Sequence, residues 1–308
     1  MRKTCLDEIY KLAKKDKRVL FFGSDIASGT LEQFKKEMPE RFFMEGVCEA
    51  NIIGMMAGLA MNGKIPYLNT IAVFLTRRCY EQILLDACLH NLKIRLVGSG
   101  GGVVYAPLGS THIAFEDMAI MRAIPNMTIV APCDAQEMKR LMPQTLEYDG
   151  PIYIRLGKGQ EPIVSSPDKP FKIGSAILVR EGGDVLVITT GIVLKLALDA
   201  SEVLKKRGIE MAILHLPTVK PIDREAIIRA VSKVKVVLTV EEHSLIGGLG
   251  SAVAEVVAEA GFSPARKFSR IALADNFPKQ YGSQDTLMAY YGITVDDIVL
   301  AANSLLNS

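Results

Sequence analysis

No stretch of this 308-residue chain holds the roughly 20 consecutive apolar residues that a membrane-crossing helix needs. Its opening, Met1-Arg2-Lys3-Thr4-Cys5-Leu6-Asp7-Glu8, lacks the apolar core of a secretion signal. Neither sign of charge is in excess: the formal net charge is +2, charged residues make up 23%, and no basic run occurs. That balance argues against a nucleic-acid patch and against a disordered charged tail. The five cysteines are dispersed, with no Cys-x-x-Cys pair. A disulfide framework or zinc site is thereby excluded, and reduced thiols in a cytoplasm are expected. What the chain does have is apolar content, 49% of its residues. Its length suits two domains of roughly 150 residues, each with its own core.

Short β-rich runs alternate with helical patterns. In the first half the runs fall at residues 18–22, 65–69, 94–98, 128–131 and 152–156, with helices expected at 49–61, 78–92 and 135–146. Such alternation predicts an α/β fold with an open parallel sheet covered by helices on both faces. Residues 157–175 break the rhythm with prolines and glycines. The pattern then resumes, with strands at 184–190, 211–214 and 236–240 and a helix at 194–207. The expected organisation is a first domain over residues 1–160, a linker over 161–175 and a second open parallel-sheet domain over 176–308. Open parallel sheets bind ligands beyond the carboxyl ends of their strands. Asp25, Phe74 and the glycine run Gly100-Gly101-Gly102 follow predicted strands and so merit attention.

One segment stands apart. Gly46-Val47-Cys48-Glu49 opens a helix whose residues 52–60 are apolar nearly all round, so burial on most faces is expected. Gly54 and Gly58 lie four apart on it. Each weakens a helix by roughly 1 kcal/mol relative to alanine, a cost that makes sense where another backbone approaches. Glu49 by itself reads either as an ordinary acid favoured at a helix start or as a functional carboxylate.

Here a resemblance enters. Gly46-x-x-Glu49 with its small-residue helix resembles transketolases, deoxyxylulose-phosphate synthases and the beta subunits of 2-oxo-acid dehydrogenases. Residues 69–83, Asn-Thr-Ile-Ala-Val-Phe-Leu-Thr-Arg-Arg-Cys-Tyr-Glu-Gln-Ile, resemble the segment of split transketolases that wraps the cofactor's aminopyrimidine. Gly109-Ser110-Thr111-His112, Arg122-Ala123-Ile124-Pro125-Asn126-Met127, Pro151 to Gly159, and Glu241-Glu242-His243 with Gly247-Gly248 resemble further family segments, in order along almost the whole chain.

The resemblance implies thiamine diphosphate as cofactor, the agent of the difficult chemistry. Glu49 would bond the aminopyrimidine and move its proton, and Phe74 would stack on that ring; the plain alternative for Phe74 is a packing aromatic. Ile71 and Arg77 would flank the ring. Asp25 would be an acid near the cofactor and the contact between subunits, or else a helix cap. His112 would line the substrate channel. Lys158 falls where transketolases place a phosphate-binding arginine; Arg155 lies nearby, and a solvated charge is the alternative for both.

Two positions depart from the sugar-phosphate pattern: Leu108 replaces an aspartate that reads a donor hydroxyl, and Gly100 replaces a histidine near the substrate phosphate. A buried hydroxyl without a partner costs about 1–3 kcal/mol, so an unusual substrate is expected. The triple glycine lacks the Gly-Lys-[Ser/Thr] of a phosphate loop. No Gly-Asp-Gly element for Mg²⁺ occurs, so this chain is expected to hold no metal. The diphosphate and Mg²⁺ would belong to an N-terminal partner subunit, in an α₂β₂ assembly whose β₂ core uses the Gly54/Gly58 helix. The implied activity is transfer of a two-carbon ketol unit between small sugar-type substrates. The alternatives are a decarboxylating, pyruvate-type transferase or dehydrogenase subunit, and a non-catalytic assembly subunit.

Overall fold

The computed structural model describes residues 1–24 and 31–307. Two sheets dominate it. The first contains β1 (Val19–Gly23), β2 (Phe42–Met44), β3 (Ile65–Ile71), β4 (Arg95–Ser99), β5 (Thr128–Val130) and β6 (Ile152–Leu156). The second contains β7 (Ile177–Arg180), β8 (Val185–Thr189), β9 (Met211–His215), β11 (Val236–Ser244) and β12 (Lys267–Leu273). One further strand, β10 (Thr218–Lys220), belongs by sequence to the second half yet joins the first sheet. The strand orders are β10-β5-β6-β4-β3-β1-β2 and β12-β11-β8-β9-β7. All pairings are parallel except the edges β10 on β5 and β7 on β9.

The central strands read as unbroken apolar runs because both of their faces are covered. In β1, Phe21 enters one core, and Leu20 and Phe22 enter the other. β8 divides likewise, with Val185 and Val187 on one side and Leu186 and Ile188 on the other. The helix Ala135–Glu147 starts at Asp134, whose carboxylate accepts the Gln136 and Glu137 N–H groups. It also takes the Val164 and Ser165 N–H groups, and so ties the irregular stretch after β6 to the first domain.

Three expectations need correcting. Residues 78–92 do not form one helix. Short helical segments at Ala72–Thr76 and Tyr80–Gln82 flank a turn, and Ile83–Cys88 is π-helical. Such widened turns occur disproportionately at functional sites. The helix Glu49–Met61 buries Ile52, Ile53, Met56 and Ala57, but Asn51, Gly54, Met55 and Gly58 are exposed. Among the described residues, no atom outside its own helix lies within 4 Å of where a Cβ would sit on either glycine, so no described backbone approaches there.

Arg155 is not a substrate ligand in this structure. It is buried, donates to Asp117 Oδ2 at 2.8 Å and to the Glu242 carbonyl at 2.8 Å, and so joins the two domains. Burial pushes the Asp117 carboxyl up, but Arg155, His243 and the Tyr153 hydroxyl outweigh it and hold it below the usual range. Glu242 meets the opposite balance. Burial dominates and raises its carboxyl to about 7, against the pull of Arg155. It accepts the Val103 N–H at 2.8 Å and the Gln284 amide at 2.9 Å.

Candidate active site

The site lies beyond the carboxyl end of β3. That strand ends at Ile71, and the turn Ala72–Thr76 lifts Phe74 half out of the core. Glu49, the first residue of its helix, points to the same place with only 2% of its surface exposed. Arg78 bridges them: Nη1 donates to Glu49 Oε2 at 3.1 Å, and the guanidinium lies 4.1 Å from the centre of the Phe74 ring. Phe74 also meets His112, with ring centres 5.1 Å apart and planes at 68°. Glu49, Arg78, Phe74 and His112 thus form a continuous row of acid, cation, aromatic and imidazole.

His112 is held by its loop. Its N–H donates to the Gly109 carbonyl, and Nδ1 lies 2.9 Å from the Thr111 hydroxyl. Tyr281 of the second domain packs on this loop so closely that a Cβ at Gly109 would lie 2.6 Å from its ring. Ile71 belongs to a small apolar cluster with Ala72, Val73 and Ala114, against which Phe74 and Tyr105 pack. Gly100 has φ +77, and a Cβ there would stand 2.1 Å from the Tyr105 ring. Only glycine lets the aromatic lie across that strand end. Leu108 is half-exposed on the rim, and Lys158 is exposed. Arg77 requires correction as a ring-flanking residue, because its guanidinium pairs with Glu116 and donates to the Ile113 carbonyl. Asp25 lies outside the described residues.

Sequence reading gave no role to Arg78, Tyr105 or Tyr281. A signal for Arg78 existed: residues four apart in a helical turn face one another, and Arg78 is four after Phe74. Tyr281 offered none, because it arrives from another domain.

Among the described residues one cluster has metal-ligand character: Cys133, Glu137 and His215, with ligand atoms within 4.8 Å of one another and all three buried. A thiol and an imidazole suit soft metals, not the all-oxygen shell that Mg²⁺ demands. Glu137 instead accepts the Cys133 N–H at 2.7 Å and pairs with His215 at 3.2 Å, a second junction between domains.

A buried carboxylate beside an offered aromatic face, at the strand ends of the first of two such domains, fits a definite family pattern. Residues 1–162 match the transketolase pyrimidine binding domain, and residues 174–298 match the transketolase C-terminal domain. The chain belongs to the transketolase family. It is 40% identical over 306 residues to the 6-deoxy-6-sulfo-D-fructose transketolase subunit SqwH of Clostridium sp. (strain MSTE9), covering 99% of this chain and 94% of that one. It is 35% identical to one of the subunits of the apulose-4-phosphate transketolase of Actinobacillus succinogenes, covering 91% and 89% respectively. A solved split-gene transketolase, described as an inactive β4 tetramer, superposes with a TM-score of 0.91 at 35% identity, covering 99% of this chain and 98% of that one. This transketolase chain is therefore an enzyme subunit of the split, β type. Among the described residues no helix is long and apolar enough to cross a membrane.

Proposed function

We propose that this subunit carries the pyrimidine half of a thiamine diphosphate site and completes a two-carbon ketol transferase when an N-terminal partner subunit supplies the diphosphate and Mg²⁺ half. The observation that carries this reading is the Glu49–Arg78–Phe74 arrangement. A flat, N–H-bearing group lies against Phe74 and hydrogen-bonds Glu49, which are the two contacts an aminopyrimidine needs. The residues present therefore fit the ring.

When bound, the cofactor supplies the electron sink for breaking and remaking a carbon–carbon bond beside a carbonyl. Glu49 holds and moves a proton at the ring nitrogen, a job that needs a carboxylate shielded from water. Phe74 fixes the plane of the ring. His112, edge-on to Phe74, stands where it can donate to or accept from substrate oxygens, steadied by Thr111. The substrate class is a ketose with an anionic tail, in line with the names of the two relatives. Lys158 is the exposed cation offered to that tail. We take residues 1–160 as the catalytic domain, 161–175 as linker and 176–308 as the supporting domain. The dispersed thiols, free among the described residues, suit a reducing cytoplasm.

For assembly, an α₂β₂ enzyme is the reading, with the Gly54/Gly58 face joining two copies. That face is open in the single chain, and exposed Met44, Met55 and Met61 belong to the same helix or to the strand before it. Leu108 supports one rival, a pyruvate-type donor that carries no hydroxyl to read. The test is to co-express the chain with a partner carrying a diphosphate-binding domain and to assay both reactions. Two-carbon transfer from a sulfonated or phosphorylated ketose is expected. Carbon dioxide release from pyruvate without such transfer would replace this function with the rival one.

A further inference from the structure

Arg78 is half-exposed, with 47% of its side chain accessible, yet the carboxylate it pairs with is 2% accessible. The cation is therefore the cover and the acid lies beneath it. An uncovered buried carboxylate would be costly, and pairing offsets that cost. The guanidinium also suits the ring of Phe74: it is planar and delocalised, and it stacks on aromatic faces as an ammonium does not.

We propose that Arg78 is a stand-in for the cofactor ring, occupying the Glu49–Phe74 slot in the free subunit and swinging out when the ring enters. This rests on the reading of Glu49 and Phe74 as the ring slot. Both contacts of Arg78 are the contacts that slot would give to an aminopyrimidine, so arginine and ring cannot hold it together. The backbone permits the exchange. Residues 77–79 form a turn between two short helical segments, so Arg78 lies outside both helices. Its neighbour Arg77 is moored to Glu116 and the Ile113 carbonyl, which keeps the chain in place while the next side chain leaves. The slot is thus preserved rather than collapsed before assembly. The consequence is a lowered apparent affinity, because only the fraction of molecules with Arg78 withdrawn can accept the ring.

The test is calorimetric titration of the assembled two-chain apoenzyme with thiamine diphosphate and Mg²⁺. Arg78→Ala should bind about threefold to tenfold tighter than wild type, and Arg78→Lys, which keeps charge but not planarity, should fall between. Both substitutions are at the surface and leave the core untouched. Glu49→Gln should weaken binding, and in that background the gain from Arg78→Ala should shrink, since the competition runs through the carboxylate. If Arg78→Ala binds no tighter than wild type while Glu49→Gln and Phe74→Ala still weaken binding, the slot stands and the stand-in fails. If neither Glu49→Gln nor Phe74→Ala changes the affinity, the slot and the stand-in fail together.

Discussion

The two domains share an architecture but use the carboxyl ends of their strands in opposite ways. In the first, β3 ends at Ile71 and the turn after it presents Phe74, half-buried and in contact with Arg78 and His112, with Glu49 bonded to Arg78. In the second, the strand ends are sealed. Glu241 at the end of β11 accepts the Leu249 and Gly250 N–H groups at the start of the next helix, both at 2.7 Å. Glu242 takes the Val103 N–H, and His243 takes the Ala119 N–H. His215 at the end of β9 meets Glu137. Open parallel sheets offer a ligand crevice at this end; the second domain has filled its crevice with the first domain. One sheet leaves its strand ends open, and the other uses its own to hold the first in place.

The sharpest way to break that contrast is at Glu49. Glu49→Ala in the assembled enzyme should lower kcat by about a thousandfold, while urea midpoints change little. Unaltered turnover would leave the first domain with no chemical edge. Next comes the seam. Asp117→Ala strands the buried Arg155 cation, and loss of one partner from such a pair costs about 3–5 kcal/mol. A denaturation midpoint within experimental scatter of wild type would count against sealing by charge.

Glu242 sharpens the comparison through pH. Its carboxyl, raised by burial to about 7 against the pull of Arg155, keeps a proton that the unfolded chain releases near about 4.3. Between those values the native state binds more protons than the unfolded one, so stability falls as pH rises. The contribution is whole below the unfolded value and gone above about 7. Glu242→Gln retains an acceptor for Val103 and should gain on wild type by roughly 3 kcal/mol between about pH 5 and about pH 8. Parallel stability curves across that range would contradict it. The mildest change lies on the open helix. In the single chain Gly54→Ala should stabilise by roughly 0.5–1 kcal/mol, because a Cβ there meets nothing. Sedimentation should show weaker self-association of the same variant. Association unchanged by Gly54→Leu would remove this face from the assembly.

Legibility in the sequence followed distance along the chain. Glu49 heads a recognisable segment and Phe74 another, and the structure brings them together through a residue four positions on from Phe74. Arg155 was misread because its strand end looks like a surface position until Asp117, 38 residues earlier, is known to lie beside it. β10 could not be read at all. Three residues before a proline carry no strand signal, and Thr218–Lys220 are extended because β5 offers them an edge. The apolar run of residues 52–60 suggested burial on most faces, but the helix buries only the side that carries Ile52, Ile53, Met56 and Ala57, and leaves Gly54 and Gly58 exposed.

β10 has a consequence for anyone who would cut this molecule. A boundary drawn through the irregular stretch after β6 separates the two folded halves on paper, but the first half would lose the ribbon that closes its sheet at β5. The exposed row of N–H and C=O groups would then invite pairing with other molecules, the usual fate of an uncovered flank. A soluble fragment of the first half would need a substitute for those three residues, or a charge on the bared strand.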